Sequence, residues 1–210
     1  MMQPIRHLFW DFDGTLYDSY PQITHAFVQT LDALGQRGLF SETELLAALK
    51  VSVYYAACQC AQRAGLEPSN VMDVFHRYHA QEAAFPPYEG LESCLRTLHA
   101  AGIRHYLYTH RDWRAVAQLK QDGLWPLFTD AVTRQDGFAD KPAPDALLAL
   151  MARNNALPNE CAMVGDRDID ILAGHNAGMR GVLFDPGGFY PKLKAEWRVS
   201  SMAELCALFA

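Results

Sequence analysis

What most constrains this chain is its punctuation. Short apolar runs of strand length, each halted by an acidic or hydroxyl residue, alternate with stretches of helical spacing. His7-Leu8-Phe9-Trp10 stops at Asp11, and His105-Tyr106-Leu107-Tyr108 stops at Thr109. Cys161-Ala162-Met163-Val164 runs into Gly165-Asp166, Gly181-Val182-Leu183-Phe184 into Asp185, and Ala131-Val132 is a shorter candidate. Runs that are apolar at nearly every position belong to strands covered on both faces. Between them, Leu91, Cys94, Leu95 and Leu98 fall at i, i+3, i+4 and i+7 before Gly102. Residues 145–154 and 168–176 behave likewise, each stopping near Asn or Gly. Strands alternating with helices predict an α/β fold, a Rossmann-like doubly wound parallel sheet.

One segment breaks the alternation. Ile23, Ala26, Phe27, Thr30, Leu31 and Leu34 make one amphipathic face, and Ser41 with Glu44 is a capping box opening a second helix. Tyr54–Ala64 predicts a third helix and Asn70–Ala84 a fourth, before Pro86 and Pro87 end the helical stretch. Residues 19–85 are therefore expected to form a small helical domain inserted into a core made of residues 1–18 and 86–210.

Composition narrows the function classes. Eighteen Lys and Arg against twenty-four Asp and Glu leave a net charge of −6, which gives no electrostatic reason to seek nucleic acid or anionic membrane. No run of about 20 apolar residues could span a bilayer, and residues 1–10 do not resemble a secretory leader. The five cysteines, Cys58, Cys60, Cys94, Cys161 and Cys206, form no ladder of spacings, and Cys58 and Cys60 are too close for a zinc-finger pair. They are expected to be small buried thiols of a cytoplasmic protein.

In open parallel sheets the carboxyl ends of the strands line the ligand crevice. The polar residues there are Asp11, Asp13, Thr109, Asp166, Asp168 and Asp170, and Lys141 follows the third candidate strand. A mostly acidic cluster with one Lys and one Thr is costly unless a cation and an anion complete it. Mg²⁺ suits oxygen ligands and commonly bridges to phosphate. The matching anion is a phosphoryl group held by Lys141, Thr109 and the backbone N–H groups around Gly14 and Thr15.

These residues also resemble a known family. Asp11-Phe12-Asp13-Gly14-Thr15-Leu16-Tyr17-Asp18-Ser19 is similar to the first motif of the haloacid dehalogenase superfamily, D-x-D-G-T-L-x-D-S. Thr109 resembles the second motif, and Lys141 in Asp140-Lys141-Pro142-Ala143-Pro144-Asp145 the third. Gly165-Asp166-Arg167-Asp168-Ile169-Asp170 with Ala173-Gly174-His175-Asn176-Ala177-Gly178 resembles the fourth. The resemblance is to the phosphoglycolate-phosphatase-like subfamily, which places a helical cap between the first two motifs. It implies a Mg²⁺-dependent phosphatase acting on a small phosphorylated metabolite.

The resemblance further implies that Asp11 attacks phosphorus and that Asp13 is the general acid and base. Thr109, Lys141 and the N–H groups of Phe12, Asp13 and His110 would hold the phosphoryl oxygens. Asp11, Asp166 and the Asp13 carbonyl would ligate Mg²⁺, with Asp170 behind them.

Rival readings are a phosphomutase of the β-phosphoglucomutase type, a dehalogenase and a catalytically weak binding protein. Dehalogenation needs no second Asp, which argues against it here, and the intact Asp11, Asp13, Lys141 and Asp166 argue against a mere binder. The mutases carry a cap His ten residues beyond the second Asp, where this chain has Ile23. His25 lies about 200° from Ile23 around a 3.6-residue helix and is expected to point elsewhere.

Overall fold

Every side chain of His7–Trp10 (β1) is buried, because β1 has strands on both sides and helices over both faces. The computed structural model describes residues 3–81 and 85–210. Among these, Arg104–Tyr108 (β2), Phe128–Val132 (β3), Cys161–Gly165 (β4), Arg180–Phe184 (β5) and Trp197–Val199 (β6) complete a parallel sheet in the order β3-β2-β1-β4-β5-β6. The chain builds outward from β1 to β3, then returns to place β4 on the other side. The order therefore reverses between β1 and β4, where a crevice opens at the strands' carboxyl ends.

Register aligns Phe9 with Tyr106 on one side and Met163 on the other. All three are buried in one cluster with Leu147 and Leu150 of the helix Asp145–Asn154 (α7). On the opposite face of the sheet, Trp10 Nε1 donates to Nδ1 of the buried His105 at 3.0 Å. The other core helices are Leu91–Ala100 (α5), Arg114–Gln121 (α6), Asp168–Asn176 (α8) and Met202–Phe209 (α9). Of these, α8 packs against β4 and β5, α5 against β2 and α9, and α6 against the turn Trp125–Leu127.

The chain divides into two compact units, Met1–Tyr17 with Pro87–Ala210, and Asp18–Pro86. The second is a bundle of Tyr20–Ala33 (α1), Glu42–Val51 (α2), Val53–Ala64 (α3) and Pro68–His79 (α4) around Phe27, Leu31, Leu45, Leu49, Cys60 and Phe75. The capping box stands as read, with the Ser41 N–H donating to Glu44 Oε2 at 2.8 Å and the Glu44 N–H to Ser41 Oγ at 3.3 Å. Ile23 is buried and His25 exposed, as their angular separation requires.

Several elements depart from expectation. The fourth helix starts at Pro68, whose fixed φ suits a first helical position, and ends at His79. The residues expected to extend it as far as Ala84 include 82–84, which lie outside the described residues. β3 begins at Phe128, three residues before the expected run, because at a sheet edge only Phe128 and Val132 need be buried. α6 and β6 were not expected. Of the cysteines, Cys60, Cys94 and Cys161 are buried while Cys58 and Cys206 are half-buried, and all five are free. Among the described residues no helix is long and apolar enough to cross a membrane.

Candidate active site

The site starts one residue past β1. The Asp11 N–H donates to Val164 O at 2.9 Å, which extends the β1–β4 ladder and sets Asp11 beside Gly165-Asp166. The chain then folds on itself: the N–H groups of Leu16 and Tyr17 both donate to Phe12 O, at 3.1 and 3.0 Å. Gly14, at φ 73°, makes the reversal in a region that favours glycine. Phe12 anchors the loop, buried and stacked on Tyr17 with ring centres 4.5 Å apart. Asp13 is left partly exposed at the crevice.

From β2, Thr109 is buried; its N–H donates to Val132 O at 3.1 Å and its Oγ accepts the Arg111 N–H at 3.0 Å. Lys141 reaches in from the loop after β3. Its side chain is wholly buried, with Nζ 2.8 Å from Asp11 Oδ1, 2.8 Å from Asp170 Oδ1 and 3.0 Å from Tyr108 O. Asp170 stands in the first turn of α8, where its Oδ2 accepts the Arg167 N–H at 3.0 Å. Gly165 makes this possible: a Cβ there would collide with the Asp170 side chain, so only hydrogen fits between β4 and α8.

Three buried carboxylates, Asp11, Asp166 and Asp170, present oxygens within 4.8 Å of one another, and Asp11 and Asp170 share the Lys141 ammonium. Burial pushes the Asp11 carboxyl up to about 7, with Lys141 opposing the rise and Asp170 adding to it. Burial alone would pull the Lys141 ammonium down, but Asp11 and Asp170 outweigh it and hold the lysine above its ordinary value. The Asp11 Oδ2 atom is buried and accepts no hydrogen bond from the described residues. An all-oxygen, anionic donor set with such an atom fits a hard divalent cation.

The structure thus brings together Asp11, Asp13, Thr109, Lys141, Asp166 and Asp170, as well as the Phe12–Asp13 loop and the Thr109–His110 turn. The His110 side chain faces the third motif: Nε2 accepts the Lys141 N–H at 3.0 Å, so the ring proton sits on Nδ1. Burial, then Lys141, pushes this imidazole down to about 4, leaving it neutral near pH 7. Asp168 is exposed, and its Oδ1 accepts the neighbouring Ile169 N–H at 2.9 Å.

Sequence reasoning missed two parts. Arg111 Nε lies 2.8 and 2.7 Å from the two carboxylate oxygens of Asp13; a base at a strand end beside an exposed second Asp was the available signal. Beyond β5, Asp185 accepts the N–H groups of Phe189 and Tyr190 at 2.8 and 3.1 Å and pairs with Arg198 Nη1 at 2.8 Å. Burial, and then the charges of Asp168 and Asp166, raise the Tyr190 phenol above its ordinary value.

A doubly wound sheet with buried carboxylates and one lysine at its switch point defines a class of α/β proteins built around a crevice at the strand ends. Residues 8–184 match the haloacid dehalogenase-like hydrolases, and the chain belongs to that family. It is 31% identical over 189 residues to a phosphoglycolate phosphatase of Vibrio parahaemolyticus, covering 84% of this chain and 82% of that one. It is 28% identical over 214 residues to the pyrophosphatase PpaX of Bacillus pumilus, covering 97% and 96%. A crystal structure described as a predicted phosphoglycolate phosphatase from Haemophilus somnus superposes with a TM-score of 0.84 at 20% identity over 100% of both chains.

Proposed function

We propose that this hydrolase is a Mg²⁺-dependent phosphatase that cleaves small phosphate monoesters through an aspartyl-phosphate. The observation that carries the reading is the state of Asp11: one oxygen is fixed 2.8 Å from Lys141 Nζ, and the other is buried without a hydrogen bond from the described residues. That is how a nucleophilic carboxylate must be held, oriented by one oxygen and kept reactive at the other. The phosphatase and pyrophosphatase names of the two relatives, each matched over more than four-fifths of this chain, support it. The five free thiols support a reducing, cytoplasmic setting.

Asp11 attacks phosphorus while Asp13 gives its proton to the departing oxygen, and Asp13 then takes a proton from the water that releases phosphate. Lys141, Thr109 and the N–H groups of Phe12, Asp13 and His110 hold the transferring oxygens against the charge that develops on them. Asp11, Asp166 and the Asp13 carbonyl would hold Mg²⁺, which when bound supplies a positive charge that lets an anionic nucleophile approach an anionic ester. Asp170 has one oxygen on Lys141 and the other on the Arg167 N–H, so its work is to orient the lysine. Ile23, buried and apolar where the mutases carry a cap His, supports a hydrolase over a mutase.

The test is phosphate release from a panel of phosphorylated metabolites with Mg²⁺, with a chelator, and with Asp11→Asn. Chelation and the substitution should each abolish turnover while the variant keeps its fold. An Asp11→Asn protein retaining a substantial part of the wild-type rate would remove Asp11 as nucleophile.

A further inference from the structure

We infer that Arg111 positions the Asp13 carboxylate for proton transfer, an inference that rests on the phosphatase reading above. One N–H, from Arg111 Nε, is shared between Asp13 Oδ1 at 2.8 Å and Oδ2 at 2.7 Å. A donor that straddles both oxygens lies in line with the Cβ–Cγ bond and opposes swinging of the carboxylate away from it. The pair is largely withdrawn from water, with side chains 16% and 24% exposed.

Arg111 is itself held. Its N–H donates to Thr109 Oγ at 3.0 Å, and its carbonyl accepts the Arg134 N–H at 2.9 Å. Its guanidinium carbon lies 5.5 Å from the centre of the buried Phe12 ring. The arginine therefore ties the loop after β1 to the loop after β2, through the one side chain of the first motif that must move a proton.

Position matters to Asp13 because it acts twice in opposite directions. In the first step the Asp11–phosphorus bond forms, the phosphorus–ester oxygen bond breaks, and the Asp13 proton passes to the departing oxygen. In the second, a water oxygen bonds to phosphorus, the Asp11–phosphorus bond breaks, and the water's proton returns to Asp13 as inorganic phosphate leaves. Both transfers need the same oxygen within hydrogen-bond reach of nearly the same point, and displacement by 1 Å can cost about a hundredfold in rate. Lys141 is fixed on Asp11 and Asp170, so Arg111 positions a different carboxylate from the one that the lysine orients.

The experiment compares kcat/KM on p-nitrophenyl phosphate and phenyl phosphate, esters of similar shape whose leaving groups differ in their need for a proton. Asp13→Asn should lose far more activity on phenyl phosphate than on p-nitrophenyl phosphate. Arg111→Gln should show the same selectivity, with about a tenfold greater loss on phenyl phosphate, and Arg111→Lys should recover part of it. Equal losses on both esters in the Arg111 variants, with Asp13→Asn still selective, would overturn the inference and leave the phosphatase reading standing. An unselective Asp13→Asn would remove Asp13 as the acid and the inference with it. If Arg111→Gln unfolds, Arg111→Lys decides by the same ratio.

Discussion

Asp11, Asp166 and Asp170 sit at the same crevice, yet their surroundings give them different work. Asp170 has Lys141 as ion partner at one oxygen and a backbone N–H at the other, whereas Asp11 has Lys141 at one oxygen and keeps the other buried without a hydrogen bond from the described residues. Asp166→Ala should therefore weaken Mg²⁺ binding more than Asp170→Ala does, because losing a direct ligand removes a bond and losing a supporting group only loosens one. Calorimetric Mg²⁺ titration of both variants checks the order, and the reverse order would exchange the two roles. Most of these residues were legible in the sequence, because each stands at a strand end inside a short motif. Arg111 was not, since the motif at Thr109 names only a hydroxyl and leaves the next positions open. The His110 side chain was illegible for another reason: its partner is the backbone of Lys141, thirty-one residues away.

At the scale of elements, legibility followed burial. β1, β2, β4 and β5 are covered on both faces, so their apolar runs announced them. β6 is three residues long with Arg198 exposed at its centre, and α6 buries only Ala115 and Leu119, too little for a periodic signal. β1 and β2 also carry a feature that their apolar character hides. His105 in β2 accepts from Trp10 at Nδ1 and donates from Nε2 to Leu95 O at 3.2 Å, which holds it as the neutral tautomer. Burial pushes it down to about 4 from an ordinary 6.5. Below pH 6.5 the unfolded chain takes up a proton that the folded chain refuses, so stability is full above that pH and falls as pH drops towards 4. The loss from His105 alone should reach on the order of 3 kcal/mol. Urea midpoints measured from pH 7 to pH 4, with the His105 ring followed by NMR, check this. A His105 that titrates near 6.5 in the folded protein would contradict the burial argument.

Over the whole molecule, the two units are unequal reporters. Trp10, Trp113, Trp125 and Trp197 all belong to the sheet-bearing unit, while the bundle of residues 18–86 has no tryptophan. Each unit has its own buried cluster, so urea unfolding followed by tryptophan fluorescence should not superimpose on unfolding followed by far-ultraviolet circular dichroism, which also sees the bundle. Coincident curves would show that the units melt as one. The insertion also imposes a timetable. β1 pairs with β2 and β4, and both lie beyond the entire bundle in the chain. At a translation rate of about 5–20 residues per second, the ribosome delivers β4 on the order of ten seconds or more after β1. Once residue 86 is made the bundle has all of its own sequence and can fold, while β1 still waits for β2 at Arg104–Tyr108 and, later, for β4 at Cys161–Gly165. The strand that leads to Asp11 is thus synthesised first and becomes the centre of a sheet only when most of the protein already exists.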